Sequence, residues 1–197
     1  MQSLTDFIVK PLKSRYDNVK KVGDKTLIIN TTIENHRFVS KEAVVVSVPA
    51  AYDSPIKVDD VVYVHHNLFR RWYDQKGRER NSSTYFMKDL YFCSPQQIYM
   101  YNKKAHLDYC FVKPIHEIND FKTSKEKEYF GILKYSNKSL ERVGLKPGDL
   151  VIFTPNSEFE FIVNNERLYC MKSNDIAVTH EHEGNEKEYN PSWTQGS

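Results

Sequence analysis

The sequence predicts an all-β protein made of two tandem small β-barrels, and three observations carry that expectation. Composition comes first: 13 tyrosines and 11 phenylalanines stand in 197 residues with only 7 glycines. Aromatic and β-branched residues suit pleated, half-buried surfaces. Next, short apolar runs alternate with Pro, Gly, Asp and Asn, the punctuation of short strands closed by turns. Last, four sequence blocks recur in the same order, as a duplication requires.

The blocks can be taken along the chain. Val9-Lys10-Pro11-Leu12 returns as Val112-Lys113-Pro114-Ile115, and Glu42–Val48 is set against Tyr129–Tyr135. Lys57–Val64 reads against Lys146–Phe153. Leu90–Ile98 reads against Leu168–Ile176, with Leu-Tyr opening both and Ile closing both. Pro147-Gly148-Asp149 is a turn, Pro presetting φ and Gly supplying a positive φ. Asp59 stands where that glycine stands and must adopt the same backbone at greater cost. The Ser- and Asn-containing steps before Ile98 and Ile176 read as short turns into a final strand. Asn137–Val143 fits one helical turn, and no long helix is expected. These blocks place one barrel at residues 1–103, a second at 104–179 and an extended polar tail at 180–197. Trp193 in that tail would pack on the body or on a neighbour.

Charge and motifs exclude several function classes. A formal charge of +2 argues against a strongly basic nucleic-acid coat. No run approaches the roughly 20 apolar residues of a membrane span. The first residues show no secretory pattern, so a cytoplasmic protein is expected. Cys93, Cys110 and Cys170 are odd in number and sit in apolar strand contexts, which predicts reduced core thiols. His65 and His66, on one strand, would point to opposite faces, and His180-Glu181-His182 lacks a third ligand, so no metal is expected. No P-loop, nucleophile elbow, His-Glu-x-x-His or Cys-x-x-Cys is present. The expectation is a non-enzyme with no catalytic residues and no cofactor.

Several motifs resemble a known family. Lys10-Pro11-Leu12, the Val44-Val45-Val46 run, Lys146–Phe153 and Tyr169–Val178 are similar to GroES-type co-chaperonins, over most of residues 7–178. The resemblance implies two GroES-like small β-barrels, a homo-oligomer, and a GroEL-like chaperonin ring as partner. In that family a mobile loop after the first strand carries an aliphatic triplet that docks on the ring. Leu27-Ile28-Ile29 stands at the matching place and resembles the form used by phage-encoded co-chaperonins. The corresponding interval of the second copy, Asn119–Glu128, is dominated by Lys and Glu. Without the resemblance, Leu27, Ile28 and Ile29, with Ile33, also fit a buried strand, and both readings stay open. A second partner class is virion proteins, the chain then being a phage virion or assembly component in the host cytoplasm or the particle. The unequal copies, and a tandem chain that tiles a seven-fold ring unevenly, favour that alternative.

One stretch lies outside the family pattern. Phe69, Arg70, Arg71, Trp72 and Tyr73 lead into Asp74-Gln75-Lys76-Gly77, a hairpin tip. Arg, Trp and Tyr are common interface anchors, and basic residues interleaved with aromatics also suit bases and phosphates. The hairpin is therefore an interface, a plain solvated hairpin or, least favoured by the charge, a nucleic-acid contact.

Overall fold

The computed structural model describes residues 3–16, 19–22, 25–28, 38–117, 126–180 and 187–189. The chain divides into two compact units, Met1–Asn102 and Lys103–Ser197. The first holds β1 (Phe7–Pro11), β2 (Val19–Val22), β3 (Lys25–Ile28), β4 (Glu42–Ser47), β5 (Val61–Val64), β6 (Arg71–Tyr73), β7 (Glu79–Asn81), β8 (Tyr85–Met87), β9 (Leu90–Cys93) and β10 (Ile98–Tyr101). The second holds β11 (Lys104–Ala105), β12 (Tyr109–His116), β13 (Glu126–Tyr135), α1 (Lys138–Arg142), β14 (Leu150–Phe153), β15 (Phe159–Val163), β16 (Glu166–Lys172) and β17 (Ile176–His180). The protein is all-β. Among the described residues the one α-helix is a single turn, capped by Asn137, whose side chain accepts the N–H groups of Ser139 and Leu140 and so satisfies donors that a helix start leaves open.

Both units use one strand order. The first unit runs β10-β5-β4-β1-β9-β8 and the second runs β17-β14-β13-β12-β16-β15. Even the irregularities match. The ladder slips between Ile8 and Val9 against β4, and between Phe111 and Val112 against β13. It slips again between Ile98 and Met100 on β10, where β14 slips between Ile152 and Phe153 against β17. Among the described residues no pairing joins the two edge strands of either sheet, so barrel closure is not seen as a hydrogen-bonded ladder.

The turns explain why such different sequences take one path. Asp59 has φ 69° and Gly148 has φ 103°. Each donates its N–H across the turn, Asp59 to Val45 O and Gly148 to Leu133 O, both at 2.8 Å. Asp60 and Asp149 then accept the N–H groups of Lys57 and Lys146 on their carboxylates. Asp59 therefore does take the left-handed backbone that glycine takes for less.

The ladders also correct one alignment. Pro11 pairs with Ala43 and Val9 with Val45, whereas Pro114 pairs with Gly131 and Val112 with Leu133. Ala43 therefore matches Gly131, not Phe130, and the Glu42–Val48 block sits one residue further along than sequence similarity suggests. Burial gives the reason. Ala43, Val45 and Ser47 face the core on β4, as Gly131 and Leu133 do on β13, and a one-residue slip would turn every one of them outward.

Each unit buries its own core. Phe7, Val9, Ala43, Val45, Val62, Val64, Leu68, Phe69, Tyr91 and Ile98 pack together in the first. Cys110, Val112, Leu133, Leu140, Val151, Phe153, Tyr169 and Met171 do so in the second. Residues 187–189 pair with the second sheet. His116 N–H donates to Lys187 O, and Tyr189 N–H to Pro114 O, so Lys187–Tyr189 lies along β12. Trp193 lies outside the described residues.

Candidate functional site

Two places were singled out by residue type, and the structure treats them differently. Leu27 and Ile28 lie on β3, which pairs with β2 through Val19↔Ile28 and Lys20↔Leu27. This hairpin forms a two-stranded sheet of its own. Ile29 lies outside the described residues.

The second place is the β6–β7 hairpin, and it is built from the core outward. After β5, His65 accepts the Asn67 N–H on Nδ1 at 3.0 Å and caps a 3-10 turn over His66–Leu68. His65 and His66 are therefore not on opposite faces of a strand, because the chain has already left the sheet. Their rings stack at 4.3 Å. Leu68 and Phe69 then plug into the core, both fully buried, with the Phe69 ring edge-on to Tyr91 at 4.9 Å. Phe69 is thus an anchor of the hairpin and leaves the candidate contact surface.

Two residues that sequence reasoning missed hold the hairpin foot. Arg15 donates from Nε to Phe69 O (2.6 Å), from Nη2 to Arg70 O (3.2 Å) and from Nη1 to Asn81 Oδ1 (2.7 Å). Its guanidinium also lies over the Tyr91 ring. Tyr16 accepts the Arg71 N–H on its hydroxyl (2.7 Å) and carries the Arg71 guanidinium over its ring at 4.7 Å. No local pattern marks Arg15 or Tyr16, since their partners are more than fifty positions away.

Along the hairpin Arg71 faces Asn81, Trp72 faces Arg80 and Tyr73 faces Glu79. Arg71 pairs with Glu79 at 2.9 Å and Arg80 with Asp74 at 3.0 Å. Burial opposes the charge on Arg71, but the Glu79 and Tyr16 bonds win and raise its pKa above the ordinary value. Asp74 closes the tip by accepting the N–H groups of Lys76 and Arg78. The Arg78 N–H above all holds its carboxyl below the usual range. What remains outward is Trp72 at 45% exposure and Tyr73 at 50%. Trp72, Arg70, Asn67, Ser82 and Ser83 line a cavity of about 470 Å³.

The cysteines offer no reactive centre. All three thiols are buried and free. Burial pushes Cys110 up to about 12 and raises Cys93 and Cys170 as well, away from the thiolate that reactivity needs. Among the described residues no group of three or more His, Cys, Asp or Glu is placed to hold a metal ion. His182 lies outside those residues. No described helix is long and apolar enough to cross a membrane.

Comparison with known proteins leaves the arrangement to speak for itself: no family model matches the chain, and no curated protein matches it.

Proposed function

We propose that this chain is a co-chaperonin-like protein that caps a chaperonin ring through Leu27, Ile28 and Ile29, its two sheets being GroES-like small barrels. One observation carries the reading. The two units share a strand order, and among the described residues the first alone shows a separate hairpin, β2–β3, between its first strand and the next sheet strand. An insertion that adds nothing to the sheet, and that brings an aliphatic triplet, is the kind of element a reversible contact uses.

The physics of such a contact is ordinary. A segment that orders on docking spends part of its interaction energy on ordering. Three aliphatic side chains contribute roughly 1.5–3 kcal/mol each when fully buried, and several copies on one assembly bind together through effective concentration. The protein would need no nucleotide or catalytic group and would work in the cytoplasm. A pull-down with a GroEL-type ring, with and without nucleotide, tests this. Leu27→Asp with Ile28→Asp should abolish capture, and capture by the double variant equal to the parent's sinks the reading.

The alternative, a phage virion or assembly component, draws on the β6–β7 hairpin, whose exposed Trp72 and Tyr73 suit a protein contact. Co-purification with particles, in place of a nucleotide-dependent complex with the ring, would favour it.

A further inference from the structure

Arg70 stands at the hairpin foot with its Nε buried and without a hydrogen-bond partner among the described residues. Arg71 Nε is buried in the same way, but the neighbouring guanidiniums are engaged through other atoms: Arg15 by two carbonyls and Asn81, Arg71 by Glu79 on Nη1, and Arg80 by Asp74. Arg70, Lys76 and Arg78 make no ion pair among the described residues. Leaving a buried charged donor without an acceptor is costly, and a bound group that supplies one is among the explanations such an atom calls for.

The surroundings define what that group is. Asn67, Arg70, Trp72, Ser82 and Ser83 line the cavity, and no carboxylate is among them. Ser82 spends its hydroxyl proton on Leu68 O at 2.7 Å, which leaves the Arg70 guanidinium as the cationic donor. A planar guanidinium matches a carboxylate with two parallel bonds. The Trp72 indole supplies an apolar face, and Arg and Trp together are the commonest interface anchors. Lys76 and Arg78, at the tip, continue the positive charge along the same hairpin. On this hairpin only three cations make no ion pair among the described residues, and one aromatic lines the cavity, too few for the phosphate contacts and stacking that nucleic acids require.

We propose that the cavity at the foot of the β6–β7 hairpin, formed around Arg70 and Trp72, binds an acidic peptide segment of a partner protein. One carboxylate sits on the Arg70 guanidinium, the methylenes that carry it lie on the Trp72 indole, and flanking acidic residues run toward Lys76 and Arg78. This contact stands independently of the Leu27–Ile29 reading, because it uses different residues and a different chemistry.

Trp72 and Trp193 are the two tryptophans, so the full-length chain carrying Trp193→Phe reports on Trp72 alone. It is titrated with capped hexaglutamate, hexalysine, inorganic phosphate and a short oligothymidylate. Hexaglutamate is expected to change Trp72 fluorescence saturably, with affinity falling as salt rises. Arg70→Ala should weaken binding about tenfold or more, as loss of a charged hydrogen-bond partner does. Arg70→Lys, which keeps the charge and the stem and so leaves the fold undisturbed, should fall between parent and alanine. The proposal is overturned by no saturable response to hexaglutamate or by equal affinity in both Arg70 variants and the parent. It is also overturned by a response to phosphate or to oligothymidylate that matches or exceeds the peptide's.

Discussion

Val112 occupies the space that a side chain at Gly131 would need. A methyl group at position 131 would meet Val112 Cγ1 and would lie 2.6 Å from the Lys113 carbonyl oxygen. The first unit accommodates Ala43 at the matching position, fully buried, so β12 and β13 approach more closely than the shared topology demands. Gly131→Ala is expected to destabilise the second unit by about 1–3 kcal/mol, the usual cost of overpacking. Adding Val112→Ala should recover little, because the carbonyl is backbone and cannot step aside. Urea denaturation of Gly131→Ala, Val112→Ala and the double variant decides it, and full recovery in the double variant relative to Val112→Ala would show that the side chain alone sets the distance.

That glycine also marks the limit of what could be read without coordinates. Turn chemistry was legible, because Pro147 and Gly148 follow one another with an Asp in a turn pattern and Asn137 opens a short helical stretch. The register of β4 against its counterpart was not. Glu42–Val48 and Tyr129–Tyr135 are almost unbroken apolar runs, so the period of two that would fix the facing residues is blurred. At the hairpin, Arg70 and Trp72 were candidate contact residues by residue type alone. Phe69 looked the same, and only its contact with Tyr91 shows that it faces inward. Arg15 and Tyr16 could not have been found, since a clamp formed across the fold leaves no trace in local spacing.

Lys113 carries a similar lesson. It matches Lys10, which is exposed, yet Lys113 is 4% exposed and is held by Glu166 at 3.1 Å and by Glu188. Burial works against its charge, but the two carboxylates prevail and raise its pKa. Removing one partner from a buried charge is more damaging than removing both. Glu188→Ala is therefore expected to cost about 1–2 kcal/mol, a charged hydrogen bond discounted for the exposure of Glu188 and for the Glu166 contact that survives. Lys113→Met should reduce the further cost of Glu188→Ala to near zero. A double-mutant cycle in urea measures the coupling, and additive losses would mean that Lys187–Tyr189 is held to β12 by its backbone bonds and the Tyr189 ring contacts, without the ion pair.

His65 gives the protein a pH dependence with a definite sign. Burial lowers its pKa from the ordinary value, and Nδ1 already accepts the Asn67 N–H. A second proton would turn that acceptor into a donor facing a donor. As pH falls, the unfolded chain takes up this proton first, near the ordinary histidine value of about 6.5. The folded state follows only at lower pH. This contribution to stability is therefore complete above that value and is lost as pH falls through the folded one. Asparagine caps a turn through its side-chain oxygen and does not titrate, so His65→Asn keeps the cap and removes the switch. The urea midpoint of the parent should fall between about pH 7 and pH 5 by more than that of the variant. Parallel falls would assign the pH dependence to other groups and leave His65 as a cap without a titration role.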